Sequence, residues 1–183
     1  MTMGRQRLAF ITLFALGALG AGGLSISNLM SPNPAPQNWI GRDLPDDRSA
    51  RWYRTLGENA ATAQLWDVAA KAARQETKAT PQQSASWQRL ALAATNAAGR
   101  PDREALSALL EAYEVTPFPA PHHMQWRVEF AAAHWRAMPD IVQEKTLTQI
   151  RVLGNIGEAW DLRNRWCERF EAKALKDAAC ETL

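Results

Sequence analysis

From about residue 46 onward, apolar residues recur at the spacing of an α-helix that buries one side. The clearest stripe lies in a helix predicted over residues 123–137 and consists of Met124, Val128, Ala131, Trp135 and Met138. A second stripe beside it indicates that this helix is buried on two sides. No segment alternates apolar and polar residues as a strand would. The pattern therefore predicts an all-α domain.

Glycine and proline mark the breaks between the predicted helices. Gly57 ends or bends the first helix, Pro81 follows the second, and the run Gly99-Arg100-Pro101 separates the third from the fourth. Asp102 is a favourable N-cap for the fourth helix. The predicted helices span approximately residues 47–56, 60–78, 87–98, 103–115, 123–137, 139–153 and 158–179.

The N-terminal region has a different pattern, because Leu8–Met30 is a continuous stretch of 23 residues without a charge. Roughly 20 apolar residues in a helix cross the hydrocarbon core of a bilayer. Arg5 and Arg7 precede the stretch, and the next basic residue is Arg42. By the positive-inside rule, residues 1–7 form a cytoplasmic tail and the rest of the chain after the anchor is translocated.

A cleavable signal peptide is the alternative, since the small residues of Gly17–Gly23 are typical of the end of a signal's apolar region. Apolar residues continue beyond that point to Met30, so we favour an uncleaved signal anchor over residues 8–30. Gly17 and Ala21 form a small-xxx-small pair through which two anchor helices can approach each other. This pair offers a route to a homo-oligomer.

The segment after the anchor is rich in proline. Pro32, Pro34 and Pro36 alternate with other residues, a spacing that resists helix formation and favours an extended chain. The sequence therefore predicts a Pro-rich linker over residues 31–45 and a helical domain over residues 46–183. Trp39 lies either at the membrane interface or at the start of the folded part.

Tryptophans recur at a spacing that suggests repeated helix pairs. Trp52 and Trp87 are 35 residues apart, and Trp87 and Trp126 are 39 apart. Trp87 and Trp126 each open a predicted helix that is followed by a second one. Spacings of this length with two helices per unit are typical of a helical solenoid.

Residues 84–117 resemble a tetratricopeptide repeat. Trp87, Leu90 and Ala91 match the pattern of its first helix, and the second helix is matched by Ala105, Leu109, Ala112 and Pro117. Ala91 stands where the family usually has Gly, Ala94 stands where it usually has Tyr, and two extra residues lie near Gly99. The resemblance implies a small solenoid of antiparallel helix pairs that binds another protein in a groove and catalyses no reaction.

The charge of the chain argues against a nucleic-acid partner. The chain has 21 basic and 19 acidic residues. Because Arg5 and Arg7 precede the anchor, basic and acidic residues are equal in number in the remainder. A nucleic-acid-binding surface needs an excess of basic residues to match phosphates. The eight tryptophans are interpreted as core residues of a helical domain.

Catalytic or metal-binding motifs are not recognisable. His122 and His123 are adjacent and His134 follows in the next helix, but no Cys, Asp or Glu lies near them at the spacing of a zinc site. There is no nucleophile elbow and no glycine-rich phosphate loop. We therefore predict no catalytic, cofactor-binding or metal-binding residue and no cofactor.

Cys167 and Cys180 are the only cysteines. They are 13 residues apart, so a continuous helix would place them about 20 Å apart, too far for a disulfide. A disulfide requires a break in the last helix, where no Gly or Pro lies between the two cysteines. Two free thiols or an intermolecular bond are the alternatives, and the sequence leaves the question open.

The sequence thus predicts a non-catalytic, membrane-anchored scaffold or adaptor that binds another protein on the periplasmic side of a bacterial inner membrane. The alternative is a structural or accessory subunit of a larger membrane protein complex. The residues predicted to form the binding face combine aromatic, basic and histidine side chains and are Trp126, Arg127, His134, Arg136, Arg89 and Arg100.

Overall fold

The computed structural model describes residues 34–156 and 160–180. These residues form α-helices and two short 3-10 turns without a β-strand, which confirms the all-α class. The predicted cytoplasmic tail, the signal anchor over residues 8–30 with Gly17 and Ala21, and the first residues of the linker lie outside the described residues. Within the described ranges, each helix is too short or too polar to traverse a bilayer.

Eight α-helices follow one another in the described chain: α1 Ala50–Thr62, α2 Trp66–Ala79, α3 Ser84–Ala98, α4 Arg103–Val115, α5 Pro121–Ala133, α6 Asp140–Gly154, α7 Trp160–Arg169 and α8 Lys173–Cys180. The 3-10 turns are Pro36–Trp39 and Trp135–Ala137. Each odd-numbered helix packs on the helix that follows it, and α2 also packs closely on α3. The helices therefore pack as successive pairs.

Small side chains bring the first three helices together. Ala69, Ala72 and Ala93 are buried where these helices meet. A Cβ atom at Gly57 in α1 would lie 3.5 Å from the Cβ of Ala72 in α2. Alanine and glycine thus allow the helix backbones to approach, which is why this part of the domain needs few large apolar residues.

The first two helices differ from the prediction at their shared boundary. Gly57 neither ends nor breaks α1, which continues to Thr62, and α2 begins only at Trp66. The turn between them contains Gln64 in the left-handed region, with φ of 58°. A single glycine costs a helix only about 1 kcal/mol, and the close packing of Gly57 on α2 outweighs that cost.

The fifth helix is shorter than predicted. It ends at Ala133, where His134 leaves the helical conformation and a separate 3-10 turn begins at Trp135. Met124 and Val128 are buried as the apolar stripe predicted, whereas Trp135 is only half-buried. The chain changes direction after Ala133, and residues 134–137 then line one side of a surface groove.

The last predicted helix is two helices. The α-helix α7 ends at Arg169 and α8 begins at Lys173, so the prediction of one continuous helix is wrong. Phe170 lies at the break, is buried, and stacks on Trp166 with a ring-centroid distance of 5.8 Å. Burial of this ring at the break allows α8 to fold back on α7, which a straight helix would prevent.

The same break brings the two cysteines together. Cys167 in α7 and Cys180 in α8 form a disulfide with their Cα atoms 5.0 Å apart. The sequence left the pairing open because it required a helix break that no Gly or Pro signals. The break is set instead by the burial of Phe170 and Leu175 in one cluster with Met124 of α5.

Residues 36–45, which fall within the predicted linker, lie against the first helix pair. Trp39 packs edge-on against Trp52 with ring centroids 5.6 Å apart, and Leu44 is buried. The Tyr53 hydroxyl donates a hydrogen bond to the Pro45 carbonyl. Trp39 therefore belongs to the folded part.

We expect the substitution Gly57→Ala to stabilise the protein. The position is helical and the added methyl group would meet Ala72 at an ordinary contact distance of 3.5 Å. The gain should be about 0.5–1 kcal/mol in the free energy of unfolding, measured by urea denaturation. Gly57→Leu is the matched control, because its larger side chain has no room beside α2 and should destabilise. A loss of stability in Gly57→Ala would contradict the described packing.

The double substitution Cys167→Ser/Cys180→Ser should lower the free energy of unfolding by about 3 kcal/mol, because a disulfide that closes a loop of this length restricts the unfolded chain. Urea denaturation of both proteins measures the difference. A reductant should destabilise the wild type to a similar extent and leave the double variant unchanged. Equal stabilities of variant and wild type under oxidising conditions would show that the two cysteines are not paired.

Candidate functional site

A buried carboxylate joins the first three helices. Glu76 of α2 is fully buried and accepts hydrogen bonds from Arg54 Nε at 3.0 Å and from Arg89 Nε at 2.9 Å. The Ser86 hydroxyl donates a third bond at 3.3 Å. Two guanidinium groups and a hydroxyl thus replace the water that the carboxylate loses on burial. Arg89, which the sequence placed near the binding face, is held within this cluster.

Arg127 of α5 lies in the core, with no exposed surface. Its guanidinium group donates hydrogen bonds to the Thr116 carbonyl at 2.9 Å, to the Ala112 carbonyl and to the Ser84 hydroxyl. It also lies over the ring of Tyr113, 4.8 Å from the centroid. Arg127 was predicted at the binding face, but its polar atoms face the end of α4 and not the solvent.

The partners of Arg127 are the carbonyl groups that a helix leaves unpaired at its C-terminus. A positive charge there interacts favourably with the helix dipole. Burial lowers the pKa of Arg127 to about 10, so the group stays charged at neutral pH. Arg127 therefore caps α4 and links it to α5.

Trp126 is half-buried on the neighbouring face of α5. Its ring stacks on Phe130 with a centroid distance of 5.0 Å, and Phe130 in turn lies 5.2 Å from the ring of His134. Phe130 is buried in a cluster with Tyr113 and Met138. Trp126 thus contributes part of its surface to packing and presents the rest to solvent.

Three of the predicted residues line one groove of about 1150 Å³. We call it the turn groove and define it by residues 100–101 between α3 and α4, residues 132–137 at the end of α5 and in the 3-10 turn after it, and residues 169–172 at the end of α7 and in the turn after it. Arg100, His134 and Arg136 face this groove. It is built from the turns of three successive helix pairs.

The local sequence explains why Arg100 reaches the groove. Gly99 ends α3 in the left-handed conformation, with φ of 72°, and Asp102 caps α4 by accepting a hydrogen bond from the Ala105 amide at 2.9 Å. Glycine at the end of one helix and a capping Asp before the next reverse the chain within three residues. The exposed Arg100 lies at the apex of this turn.

The turn groove carries charges of both signs. Arg169 pairs with Glu129 at 3.6 Å, so these two largely neutralise each other. Arg100 and Arg136 are exposed, and neither has an ion-pair partner in the part of the chain that the structure describes. Two unpaired guanidinium groups therefore face solvent at the groove, with Glu171 as an exposed carboxylate at its edge.

A second concavity of about 700 Å³ continues from the turn groove, because Arg100, Pro101 and Ala137 line both. Its remaining lining is mostly apolar and includes Leu106, Leu110 and Ile141, and we call these three residues the apolar lobe. Ile141 was predicted as a core residue, but 45% of its surface is exposed. The helical period predicted both Ile141 and the adjacent Val142 as core residues, and of the two only Val142 is buried.

The rings of His122 and His123 lie against each other, with their centroids 4.2 Å apart. His123 Nδ1 lies 2.9 Å from Gln88 Oε1, and burial together with the neighbouring His122 lowers the pKa of His123. The described residues contain no group of three or more His, Cys, Asp or Glu side chains that could hold a metal ion. The geometry of the described chain thus directs attention to the turn groove.

Comparison of the chain with protein-family models, with curated proteins and with solved structures finds no match. The turn groove with its apolar lobe is a large concave surface of the described chain, and it contains three of the six residues predicted to bind a partner.

We expect Glu76→Ala to lower the free energy of unfolding by about 3 kcal/mol, because it leaves two partly buried guanidinium groups without their carboxylate. Glu104→Ala is the matched control. Glu104 forms an exposed ion pair with Arg74, with Nε and Oε1 2.5 Å apart, and its loss should cost less than about 1 kcal/mol. Chemical denaturation measures both values, and similar losses in the two variants would refute the structural role of Glu76.

Proposed function

We propose that this chain is a membrane-anchored helical-repeat adaptor, which binds another protein through the turn groove and catalyses no reaction. It would do so on the periplasmic side of a bacterial inner membrane. The observation that carries the proposal is the groove itself, a concave surface of about 1150 Å³ built on turns that rigid helix pairs hold in place. Binding residues are commonly found on turns positioned by such a scaffold.

The packing of α3 and α4 supports a likeness to the tetratricopeptide repeat. Ala91, Ala105 and Ala112 are buried where the two helices meet, and Leu109 is buried beside them. Trp87 is half-buried at the start of the pair, where its indole nitrogen donates a hydrogen bond to the Pro81 carbonyl at 2.8 Å. These are the roles that small and large residues have in the repeat that residues 84–117 resemble.

The third and fourth pairs depart from a regular repeat. Large side chains, including Arg127 and Phe130, separate α4 from α5, and a disulfide joins α7 to α8. These features distinguish the later pairs from the closely packed first two pairs. They favour the edge formed by the turns as the binding surface of this adaptor.

Two observations support a position on the periplasmic side. The stretch of 23 uncharged residues from Leu8 to Met30 has the length of a membrane anchor, and Arg5 and Arg7 lie before it. The disulfide of Cys167 is stable in an oxidising compartment and is rare in a bacterial cytoplasm. A translocated domain behind an uncleaved signal anchor accounts for both.

The second candidate function is that of a structural or accessory subunit of a larger membrane complex. Phe118, with 59% of its surface exposed, and Ile40, with 56%, favour this reading. Both lie outside the turn groove, where a neighbouring subunit could cover them. Close approach of anchor helices at Gly17 and Ala21 would contribute to such an assembly.

Site-specific photocrosslinking in intact cells distinguishes the two functions. A photoreactive phenylalanine derivative replaces either Ala133 in the turn groove or Phe118 outside it. The adaptor hypothesis predicts a discrete crosslinked partner from position 133, and it predicts that Arg136→Glu weakens this band because the groove loses a free positive charge. The same derivative at Arg51, an exposed position on α1, is the matched control and should give no such band.

A band from position 118 alone, lost when residues 1–30 are replaced by a cleavable signal, would support the subunit hypothesis. Crosslinking from neither position would contradict both hypotheses. Equal bands from positions 133 and 51 would show that the groove is not the binding surface.

A further inference from the structure

Exposed positive charge lines the turn groove and the adjoining concavity. Among the described residues, Arg100, Arg103 and Arg136 are exposed and have no ion-pair partner, and all three line the groove or the adjoining concavity. The chain after residue 7 has equal numbers of basic and acidic residues, and other exposed basic side chains of the described chain, such as Arg51, also have no ion-pair partner. Arg100 and Arg136 differ from Arg51 in lining a concave surface that continues into apolar residues. The carboxylate of Asp102 is engaged in capping α4.

The charged and apolar parts of this surface are continuous. Arg100 lines both the turn groove and the adjoining concavity, and so does Ala137. A ligand whose anionic group meets Arg100 can therefore place a neighbouring group against the apolar lobe. Ile141 leaves 45% of its surface exposed there and would be covered by such a group.

The chemistry of these two parts indicates the kind of ligand. A guanidinium group binds a carboxylate through two parallel hydrogen bonds, and exposed apolar surface is stabilised by an apolar side chain. A free phosphate also binds arginine, but it has no apolar group to cover the apolar lobe. A planar membrane surface, moreover, does not fill a concave groove.

We propose that the turn groove binds a short acidic segment of a partner protein. An Asp or Glu carboxylate of that segment pairs with Arg100 and Arg136, and an adjacent apolar side chain packs on the apolar lobe. This inference rests on the proposed adaptor function and adds the chemical class of the partner segment. Charge complementarity also speeds the encounter of such a segment with the groove.

The test is a selection of random dodecapeptides displayed on phage against the full-length chain in detergent micelles. The double variant Arg100→Glu/Arg136→Glu serves for counter-selection. Both arginines are exposed and unpaired, so the variant should keep the fold, which circular dichroism and thermal unfolding check. Selected peptides are then synthesised with a fluorophore, and their dissociation constants are measured by fluorescence anisotropy.

We expect the selected peptides to be rich in Asp and Glu next to a large apolar residue. The double variant should bind them at least about tenfold more weakly, since each charged pair contributes affinity. Arg51→Glu makes the same charge change on α1 and should bind them like the wild type. Ile141→Ser should weaken binding of the parent peptides and have little effect on peptides whose apolar residue is replaced by Ser.

Several results would overturn the inference. They are the selection of neutral or basic peptides, a selection that enriches nothing, and acidic peptides that bind the double variant as well as the wild type. Displacement of the peptides by micromolar glycerol 3-phosphate would assign the arginines to a phosphate headgroup instead. Crosslinking from position 133 without acidic peptides would leave the adaptor function intact, so the two failures are distinguishable.

Discussion

The placement of the third helix pair on the second depends on the buried guanidinium group of Arg127. It bonds the carbonyls at the end of α4 and lies over the ring of Tyr113. Burial of a charge is costly, and only these oriented acceptors offset the cost. Since such acceptors occur at the C-terminus of α4 and not along its length, Arg127 permits one register of α5 against α4. The register of α5 also sets where His134 and Arg136, which follow α5 and line the turn groove, are placed.

The three junctions between helix pairs use different chemistry. Alanine packing and the Glu76 ion cluster join the first pair to the second, where the backbones are close. Large side chains and Arg127 join the second to the third. The buried ring of Trp166, which packs in one cluster with Met124 of α5 and Leu153 of α6, joins the third pair to the last. A solenoid of identical repeats would use the same contacts at every junction, whereas this domain uses a different set at each.

The arginines at the turn groove differ from the buried arginines in having no carboxylate or carbonyl partner among the described residues. Arg54, Arg89 and Arg127 are engaged by carboxylate or carbonyl groups within the protein. Arg100 and Arg136 lie on turns, where no described residue pairs with them. The buried guanidinium groups have their charges satisfied within the protein, whereas those of Arg100 and Arg136 are left to solvent.

By itself, the sequence determined the helical class and the boundaries of α4, because helical periodicity, Gly99 and the cap Asp102 act locally. It also placed Arg100 in the turn between α3 and α4, whereas it placed Arg136 within the fifth helix, which ends before that residue. Tertiary structure alone decided that α1 passes through Gly57 and that the last helix breaks at Phe170, since packing energies there exceed the small local preferences. Tertiary structure also decided that Arg127 is buried and Arg136 exposed. The sequence placed both arginines in one helix, and only the position of the α4 carbonyls, which accept hydrogen bonds from Arg127, distinguishes the two residues.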